Sequence, residues 1–390
     1  MVAARDIAKH PTVYFDHGAT SWPKPKEVVD AVHEALTRYG GNPGRGAYAM
    51  AIDTARALFE ARESCARLLR VAASENLIFT PSCTYGCNLM LKGLLRPGDR
   101  VVAGGMEHNA VVRPLTKLAE DGIELVVVPA DSTGYVDPDD VERAVRAAPT
   151  RAVVCMHVSN VCGTIQAIGD MADIAHGNGA LMLVDGAQGV GHLDVDIASL
   201  GVDAYAVSGH KGILGPQGIG LLYLSPDVEP DTLIEGGTGG GSSADPLMPT
   251  ERPDRYEPGT HNVPGALGLG AAARFVAERG SALRAEESRL GDRLHAGLLE
   301  IPGITVLGPD PGVERIPVFS IVHDTVEGDR IAFEIDRKHG IACRAGLHCA
   351  PWAHEHLGTS VSGAVRFGVG FGNTEQDVDL ALAAIAEVVT

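Results

Sequence analysis

One lysine, Lys211, stands in a setting that favours covalent chemistry with a carbonyl compound. It follows an apolar run at Ala204 to Val207 that predicts a buried strand, and Gly218 to Leu224 predicts another. Ser208 and His210 precede it, among glycines. Most lysines lie in solvated loops. A lysine held in a tight loop at a strand end can instead form a Schiff base with pyridoxal 5′-phosphate (PLP), if the rest of the chain supplies partners for that cofactor.

Asp185 offers the first such partner, because it directly follows the apolar run Leu181 to Val184. A carboxylate there can pair with the pyridinium nitrogen of PLP and strengthen the ring as an electron sink. A helix N-cap or a surface turn is the ordinary alternative. Gln188 can donate a hydrogen bond to the phenolic oxygen of the cofactor.

The run Thr80 to Gly86 reads TPSCTYG and joins a predicted strand to a predicted helix. Small and hydroxyl residues at a helix N-terminus leave backbone N–H groups free to bind phosphate. Ser208 and His210 can complete that phosphate site. An ordinary capping turn explains the same run without a ligand.

Two further strand ends carry polar groups. His108, in the run Met106 to Asn109, can stack on a pyridine ring and move protons. Asn160, in the run His157 to Asn160, can orient the substrate or the phenolic oxygen. These groups follow successive predicted strands, and together they predict one site.

Cys349 and Arg366 suggest how a substrate is held and attacked. Cys349 has His348 beside it and Arg344 five residues earlier, which favours its thiolate. Arg366 lies between apolar residues, so it needs an anion, either a substrate carboxylate or an internal salt-bridge partner. Five cysteines are predicted to be packing residues: Cys65, Cys87, Cys155, Cys162 and Cys343.

The composition sets limits on these hypotheses. A chain of 390 residues, 45% hydrophobic and 21% charged, is typical of a globular protein with two domains. A net charge of −18 argues against a nucleic-acid or anionic-membrane partner. The N-terminus shows no signal peptide or membrane span, and the 7 scattered cysteines predict no disulfide framework. We therefore expect a cytoplasmic protein.

Alternating apolar runs and helical stretches predict an α/β fold whose large domain contains a mostly parallel, doubly wound sheet of seven strands. Ligands of such sheets bind at the carboxyl ends of the strands. We predict an N-terminal arm (1–20) joining the small domain, a large domain (21–264) and a small α+β domain (265–390). The predicted strands are Leu77–Phe79, Val101–Ala103, Glu124–Val128, Ala152–Met156, Leu181–Val184, Ala204–Val207 and Ile219–Leu224.

Three other functions are alternatives to a PLP enzyme. A nucleotide site at the glycine run 236–241 lacks the strand–helix context and the Walker lysine. A zinc site at Cys349, His354 and His356 lacks paired ligand spacing, so no metal is expected. A non-catalytic sulfur-relay scaffold keeps Cys349 and has no need of the cofactor residues. Absorbance of the purified protein near the visible edge separates enzyme from scaffold.

Six motifs resemble the cysteine desulfurase and selenocysteine lyase branch of the class V aminotransferase family. The resemblance extends from about Phe15 to the C-terminal helix. It implies a type I PLP fold and a homodimer with active sites at the subunit interface. The motifs are MEHN (106–109), HVSNVCGT (157–164), VDGAQ (184–188), SGHKGILGPQGIG (208–220), YEPGTHN (256–262) and RAGLHCAP (344–351).

The resemblance also implies a role for each site residue. Lys211 would be the Schiff-base lysine, and Cys349 the nucleophile that forms a persulfide. The short loop from Arg344 to Cys349 resembles the group II branch. The remaining implied roles are pyridinium pairing by Asp185, stacking by His108, phenolic-oxygen contacts by Gln188 and Asn160, phosphate binding by Cys83, Thr84, Ser208, His210 and the neighbouring subunit's Thr260, and substrate binding by Arg366, Asn160, Arg344 and Ala19.

The resemblance implies an activity as well. L-Cysteine would give L-alanine and a Cys349 persulfide, which then passes to an acceptor protein. A selenocysteine lyase, or a C–S β-lyase in which Cys349 is not the nucleophile, is the alternative. The chain departs from the common family pattern at four positions: His17, Cys83, Tyr85 and Leu347.

Overall fold

The structure is a computed structural model that describes residues 13–44, 46–238 and 245–390. Residues 1–12 of the predicted arm lie outside the described residues, as do residues 239–241 of the glycine run considered as a nucleotide site. Within the described ranges, no helix combines the length and apolar character needed to cross a membrane.

Strands and helices alternate through most of the described chain. The strands are β1 (Val13–Tyr14), β2 (Leu77–Thr80), β3 (Arg100–Gly104), β4 (Glu124–Val128), β5 (Ala152–Met156), β6 (Leu181–Asp185), β7 (Ala204–Ser208), β8 (Gly220–Leu224), β9 (Ile304–Leu307), β10 (Val318–His323), β11 (Ile341–Ala342), β12 (Arg344–Gly346) and β13 (Ala364–Gly368). The α-helices are α1 (Lys26–Arg38), α2 (Ala49–Leu69), α3 (Cys83–Leu94), α4 (Asn109–Glu120), α5 (Pro138–Arg146), α6 (Ile168–Gly177), α7 (Ile197–Leu200), α8 (Val263–Leu299), α9 (Gly328–His339), α10 (Pro351–His356) and α11 (Glu375–Val389).

The largest sheet has seven strands in the order β2-β8-β7-β6-β5-β3-β4. Strand β8 is antiparallel to both of its neighbours, and the remaining neighbours are parallel. The predicted α/β fold with a mostly parallel seven-stranded sheet is therefore confirmed.

Buried apolar side chains on both faces explain why this sheet forms. Strands β5 and β7 are buried along their whole length, as is typical of parallel strands covered by helices. Successive residues of β5 alternate between two cores: Val153 packs with residues of α2, α6 and α8, and Val154 with residues of α3 and α4. The helices therefore cover both faces and leave the strand ends accessible.

The strand ends converge on one edge of the sheet. Thr80 of β2 and Ser208 of β7 both pair with Gly220, at the beginning of β8. Asp185 is the last residue of β6, the strand next to β7. A Cβ at Gly220 would lie 3.1 Å from the backbone nitrogen of Cys83, so glycine lets the start of α3 approach this edge closely.

A smaller antiparallel sheet has the order β12-β13-β10-β9, and β1 pairs with β11 in a two-stranded parallel sheet. Helices α8 and α11 pack on them around Phe319 and Phe367. The N-terminal segment crosses to this region, because the Phe15 carbonyl accepts a hydrogen bond from Gly368 N at 2.6 Å. Residues far apart in sequence thus meet beside the edge of the large sheet.

Candidate active site

Lys211 and Asp185 lie at the same edge of the sheet, because their strands β7 and β6 are adjacent and parallel. They line a cavity of about 190 Å³. The cavity brings together eleven of the predicted site residues: Ala19, Cys83, Thr84, His108, Asn160, Asp185, Ser208, His210, Lys211, Arg344 and Arg366.

Lys211 lines this cavity and is partly buried. Withdrawal from water lowers the pKa of its ammonium group, and the carboxylate of Asp185 opposes that shift. A lysine with a lowered pKa has a larger neutral fraction, which is the form that attacks a carbonyl.

Asp185 is 3% exposed and has defined contacts. Its Oδ1 accepts hydrogen bonds from the Ala187 backbone N–H at 2.9 Å and from the Cys83 thiol at 3.4 Å. The turn contact that the sequence left open is therefore present, and no hydrogen bond to Oδ2 is found in the described part of the chain.

The first turn of α3 faces the cavity. Ser82 caps the helix by accepting a hydrogen bond from Tyr85 N at 3.2 Å, and Cys83 and Thr84 follow it. Ser208 and His210 line the same cavity from the other side. The arrangement offers hydroxyl groups and free N–H groups to an anion.

His108 is the N-cap residue of α4. Its Nδ1 accepts a hydrogen bond from the Ala110 backbone N–H at 3.0 Å, so the neutral ring carries its proton on Nε2. Burial is the main cause that lowers its pKa to about 4, and the cation of Lys211 adds to the shift. The imidazole is therefore neutral at neutral pH.

Arg366 is 1% exposed. The sequence left two anionic partners open for it, a substrate carboxylate and an internal salt-bridge partner. Its Nη2 forms a salt bridge with Asp16 at 2.8 Å, and its Nη1 donates to the Asn160 carbonyl at 3.0 Å. Its Nε is buried without a hydrogen-bond partner. A Cβ at Gly18 would lie 3.0 Å from the Arg366 guanidinium carbon, so glycine keeps that approach open.

Cys349 is exposed in the short loop between β12 and α10. It adopts a left-handed backbone conformation with φ 58°, next to His348 with φ 51°. Such conformations cost free energy in non-glycine residues. Two hydrogen bonds hold the loop: Asn109 N donates to the Cys349 carbonyl at 2.7 Å, and Asn160 Nδ2 donates to the His348 carbonyl at 2.9 Å.

The thiol of Cys349 contacts one residue of the cavity lining. Arg344, which lines the cavity, donates from Nη2 to the Cys349 sulfur at 3.4 Å. The ring of His348 is engaged elsewhere, because its Nε2 donates to the Arg344 carbonyl at 3.1 Å and its Nδ1 faces His354 Nε2 at 3.2 Å. The sequence suggested that both His348 and Arg344 favour the thiolate; among the described residues Arg344 hydrogen-bonds to the Cys349 sulfur and His348 does not.

With this geometry established, comparison with known proteins identifies the family. The family model for class-V aminotransferases matches residues 13–381. The chain belongs to the class V aminotransferase family. As a group, the enzymes of this family depend on PLP.

Relatives place this class V member in the cysteine desulfurase branch. A probable cysteine desulfurase of Methanothermobacter thermautotrophicus is 36% identical over 382 residues, covering 96% of this chain and 94% of the relative. The apo structure of a cysteine desulfurase from Thermococcus onnurineus matches with a TM-score of 0.90 and 33% identity, over 97% and 94% of the two chains. The Escherichia coli cysteine desulfurase CsdA, in an S-sulfonic acid form, gives 0.86 and 28%, over 97% and 94%.

Two residues that the sequence assigned to the cofactor lie outside the cavity of this class V member. Gln188 donates from Nε2 to the Gly18 carbonyl at 2.7 Å, and its Oε1 is buried without a partner. Thr260 lines a separate cavity together with Tyr85, one of the departures from the family pattern. The implied role of Thr260 is toward a neighbouring subunit.

Sequence reasoning missed several groups at this site. Ser82 and Gly18 line the cavity, and the N-cap position before α3 was the available signal for Ser82. The ligand atoms of Cys83, Cys87 and Asp185 also lie within 4.8 Å of one another, a cluster that the sequence did not suggest. Cys87 was expected only to pack, and its sulfur is 4.0 Å from that of Cys83.

Proposed function

We propose that this chain is a PLP-dependent cysteine desulfurase. L-Cysteine and the Cys349 thiol would give L-alanine and a persulfide on Cys349. The observation that carries the proposal is the contact of the exposed Cys349 thiol with Arg344, a residue that lines the Lys211 cavity. The names of the relatives support the same activity.

The residues present fit the cofactor. Three buried polar atoms of the cavity walls have no hydrogen-bond partner in the described chain: His210 Nδ1, Asn160 Oδ1 and Arg366 Nε. Buried polar atoms are normally satisfied, so a polar ligand is expected here. The phosphate would be held by the α3 N-terminus with Thr84, Ser208 and His210, and the ring nitrogen by Asp185.

Bound PLP supplies an electron sink that makes the Cα–H bond of an attached amino acid acidic. The Lys211 amine would remove that proton, since burial lowers its pKa and leaves more of it neutral. The Nε2–H of neutral His108 would donate a proton where the carbon side needs one.

The sulfur step requires Cys349. Its thiolate would attack the substrate sulfur, a new S–S bond would form, and the C–S bond would break with its electron pair left on carbon. A proton delivered to that β-carbon, together with return of the Cα proton from Lys211, completes L-alanine, so atoms and electrons balance. Without Cys349 the carbon skeleton would instead lose sulfide and give pyruvate.

Arg366 would bind the substrate carboxylate through its unpartnered Nε, with Arg344, Asn160 and Ala19 beside it. The salt bridge from Arg366 to Asp16 uses Nη2 and leaves Nε without a partner in the described chain.

We also propose a cytoplasmic homodimer in which Thr260 reaches the phosphate of the other subunit. We propose two domains. The small domain combines the N-terminal arm, up to residue 20, with residues 265–390, and the large domain consists of residues 21–264. A separate protein would accept the sulfur.

The test is product analysis of purified protein with L-cysteine and dithiothreitol. We expect alanine and sulfide in equal amounts and no pyruvate; in a parallel incubation without dithiothreitol we expect a mass increase of about 32 Da on the Cys349 peptide. Cys349→Ser should abolish alanine formation and keep the cofactor absorbance. Wild-type turnover by this variant, or pyruvate as the product of the wild-type enzyme, would identify a β-lyase, and a strong preference for selenocysteine would identify a selenocysteine lyase.

A further inference from the structure

A second cavity, of about 360 Å³, lies outside the Lys211 site and ends at Cys349. It is a groove between α3 and α4, and we call it the α3–α4 groove. It shares Thr84, His108 and Ala110 with the Lys211 cavity, so the two are adjacent. Cys349 lines the α3–α4 groove and contacts Arg344 of the Lys211 cavity.

The walls of the α3–α4 groove carry only positive charge among the described residues. Lys92 on α3 and Arg113 and Lys117 on α4 line it, and no Asp or Glu does. All three side chains are exposed. In the described chain Lys92 and Arg113 have no ion-pair partner, whereas Lys117 pairs with Glu120 and Asp121 at 3.3 Å and 3.0 Å.

Helical spacing aligns these cations with the groove. Thr84, Asn88 and Lys92 recur at every fourth residue on α3, and Arg113 and Lys117 are four residues apart on α4. From Thr84 to Lys92 the helix rises about 12 Å. An extended peptide covers that distance with about four residues.

The charge of the groove contrasts with that of the whole molecule. A chain of net charge −18 repels an acidic partner at long range. At physiological salt the Debye length is about 8 Å, so local cations dominate for a segment lying within the groove. Lys92 and Arg113, which have no ion-pair partner in the described chain, favour an anionic segment there.

We propose that the α3–α4 groove binds an acidic segment of about four residues that flanks the cysteine of a sulfur-acceptor protein. This rests on the proposed desulfurase function. The acceptor thiolate attacks the outer sulfur of the Cys349 persulfide, and the bond from that sulfur to Cys349 Sγ breaks. The electron pair returns to Cys349 as a thiolate, and the acceptor leaves as the persulfide.

The test uses nonapeptides with a central cysteine flanked on both sides by four aspartates, or by four asparagines. Transfer from the Cys349 persulfide is measured by mass spectrometry at physiological salt. We expect at least a tenfold higher kcat/KM for the aspartate peptide, lost in the double variant Lys92→Glu with Arg113→Glu. Turnover with dithiothreitol should stay unchanged in that variant.

The matched control is Arg151→Glu, an exposed arginine just before β5, at the opposite edge of the sheet from the cavity. It makes the same arginine-to-glutamate change as Arg113→Glu and should leave transfer to the aspartate peptide intact. High salt should remove the preference for that peptide. Equal transfer to both peptides, or no effect of the double variant, overturns the proposal.

A binding measurement separates the two proposals. Serine replaces cysteine in a fluorescently labelled aspartate peptide, and its anisotropy is measured with wild type and the double variant. Charge-dependent binding without any persulfide would support the groove and contradict the desulfurase assignment. Persulfide formation without charge-dependent binding would contradict the groove alone.

Discussion

Arg344 and Arg366 lie directly opposite each other on the antiparallel strands β12 and β13. Like charges in this position destabilise a sheet. Burial is the main cause that lowers the pKa of Arg366, Asp16 opposes the shift, and the cation of Arg344 adds to it. Asp16 is the one carboxylate paired with either arginine in the described chain. The fold therefore keeps an excess positive charge beside the cavity, which favours an anionic substrate.

The first prediction concerns Arg366. Arg366→Ala should lower kcat/KM for L-cysteine, because a buried charge partner of the carboxylate is lost. The decrease corresponds to a loss of roughly 2–4 kcal/mol of transition-state binding free energy. The cofactor absorbance should remain. Steady-state kinetics with absorbance spectra of the same preparations measure both.

Asp16→Asn is the control for that variant. It removes the salt bridge and leaves the Arg366 guanidinium in place. If Arg366 were only structural, both variants would lower thermal stability and neither would affect kcat/KM.

The second prediction is that the cofactor is bound covalently to Lys211. Borohydride reduction and peptide mapping should place the label on this residue, and Lys211→Ala should remove it. Lys24 is a demanding control, because burial also lowers its pKa, to about 8. Its Nζ is bound to the His210 carbonyl at 3.0 Å and to Ser21 Oγ at 2.7 Å, outside the cavity. A label on Lys24 would contradict the assignment.

The local pattern of apolar and polar residues in the sequence predicted the large sheet and most of the residues that line the Lys211 cavity. Buried apolar runs mark strands, and polar residues directly after them fall on one edge, which is how Asp185, His108 and Asn160 were found. The antiparallel direction of β8 has no such signal, because an apolar run reads the same in both directions. The partner of Arg366 was missed for another reason: Asp16 is 350 residues away in sequence.

The third prediction is acid destabilisation through His157. Burial lowers its pKa from 6.5 to about 4, and its Nδ1 lies 2.7 Å from the Tyr205 hydroxyl. The unfolded chain binds a proton at this imidazole more readily than the folded chain does. The contribution of neutral His157 to the free energy of unfolding is therefore complete above the unfolded pKa of 6.5, and it is lost as pH falls toward 4.

Between about pH 7 and pH 5 the free energy of unfolding should fall by about 2 kcal/mol through this residue. Urea denaturation at both pH values measures it. His157→Gln, which does not titrate, should show a smaller fall than wild type. Other buried histidines act in the same direction, so the difference between the two proteins is the quantity to compare. Equal falls would contradict the prediction.

The fourth prediction concerns a chain of hydrogen bonds behind Cys349. The Thr359 hydroxyl donates to His354 Nδ1 at 2.7 Å, which leaves the His354 proton on Nε2. That proton is donated to His348 Nδ1, and His348 in turn donates to the Arg344 carbonyl. Burial lowers the pKa of His354 to about 4 and that of His348 to about 3, so both rings are neutral at neutral pH. The chain thus fixes the loop that presents Cys349.

Thr359→Val keeps the shape of the side chain and removes the donor. His354 then loses the bond that fixes its tautomer, and the position of the Cys349 thiol relative to Arg344 is less well defined. We expect kcat with dithiothreitol to fall roughly tenfold, the equivalent of one buried hydrogen bond, with KM for L-cysteine and the cofactor absorbance little changed. Thr359→Ser, which restores the hydroxyl, should recover most of the rate. If the valine variant keeps wild-type kcat, or if serine fails to restore a lost rate, Thr359 does not position Cys349 through this chain.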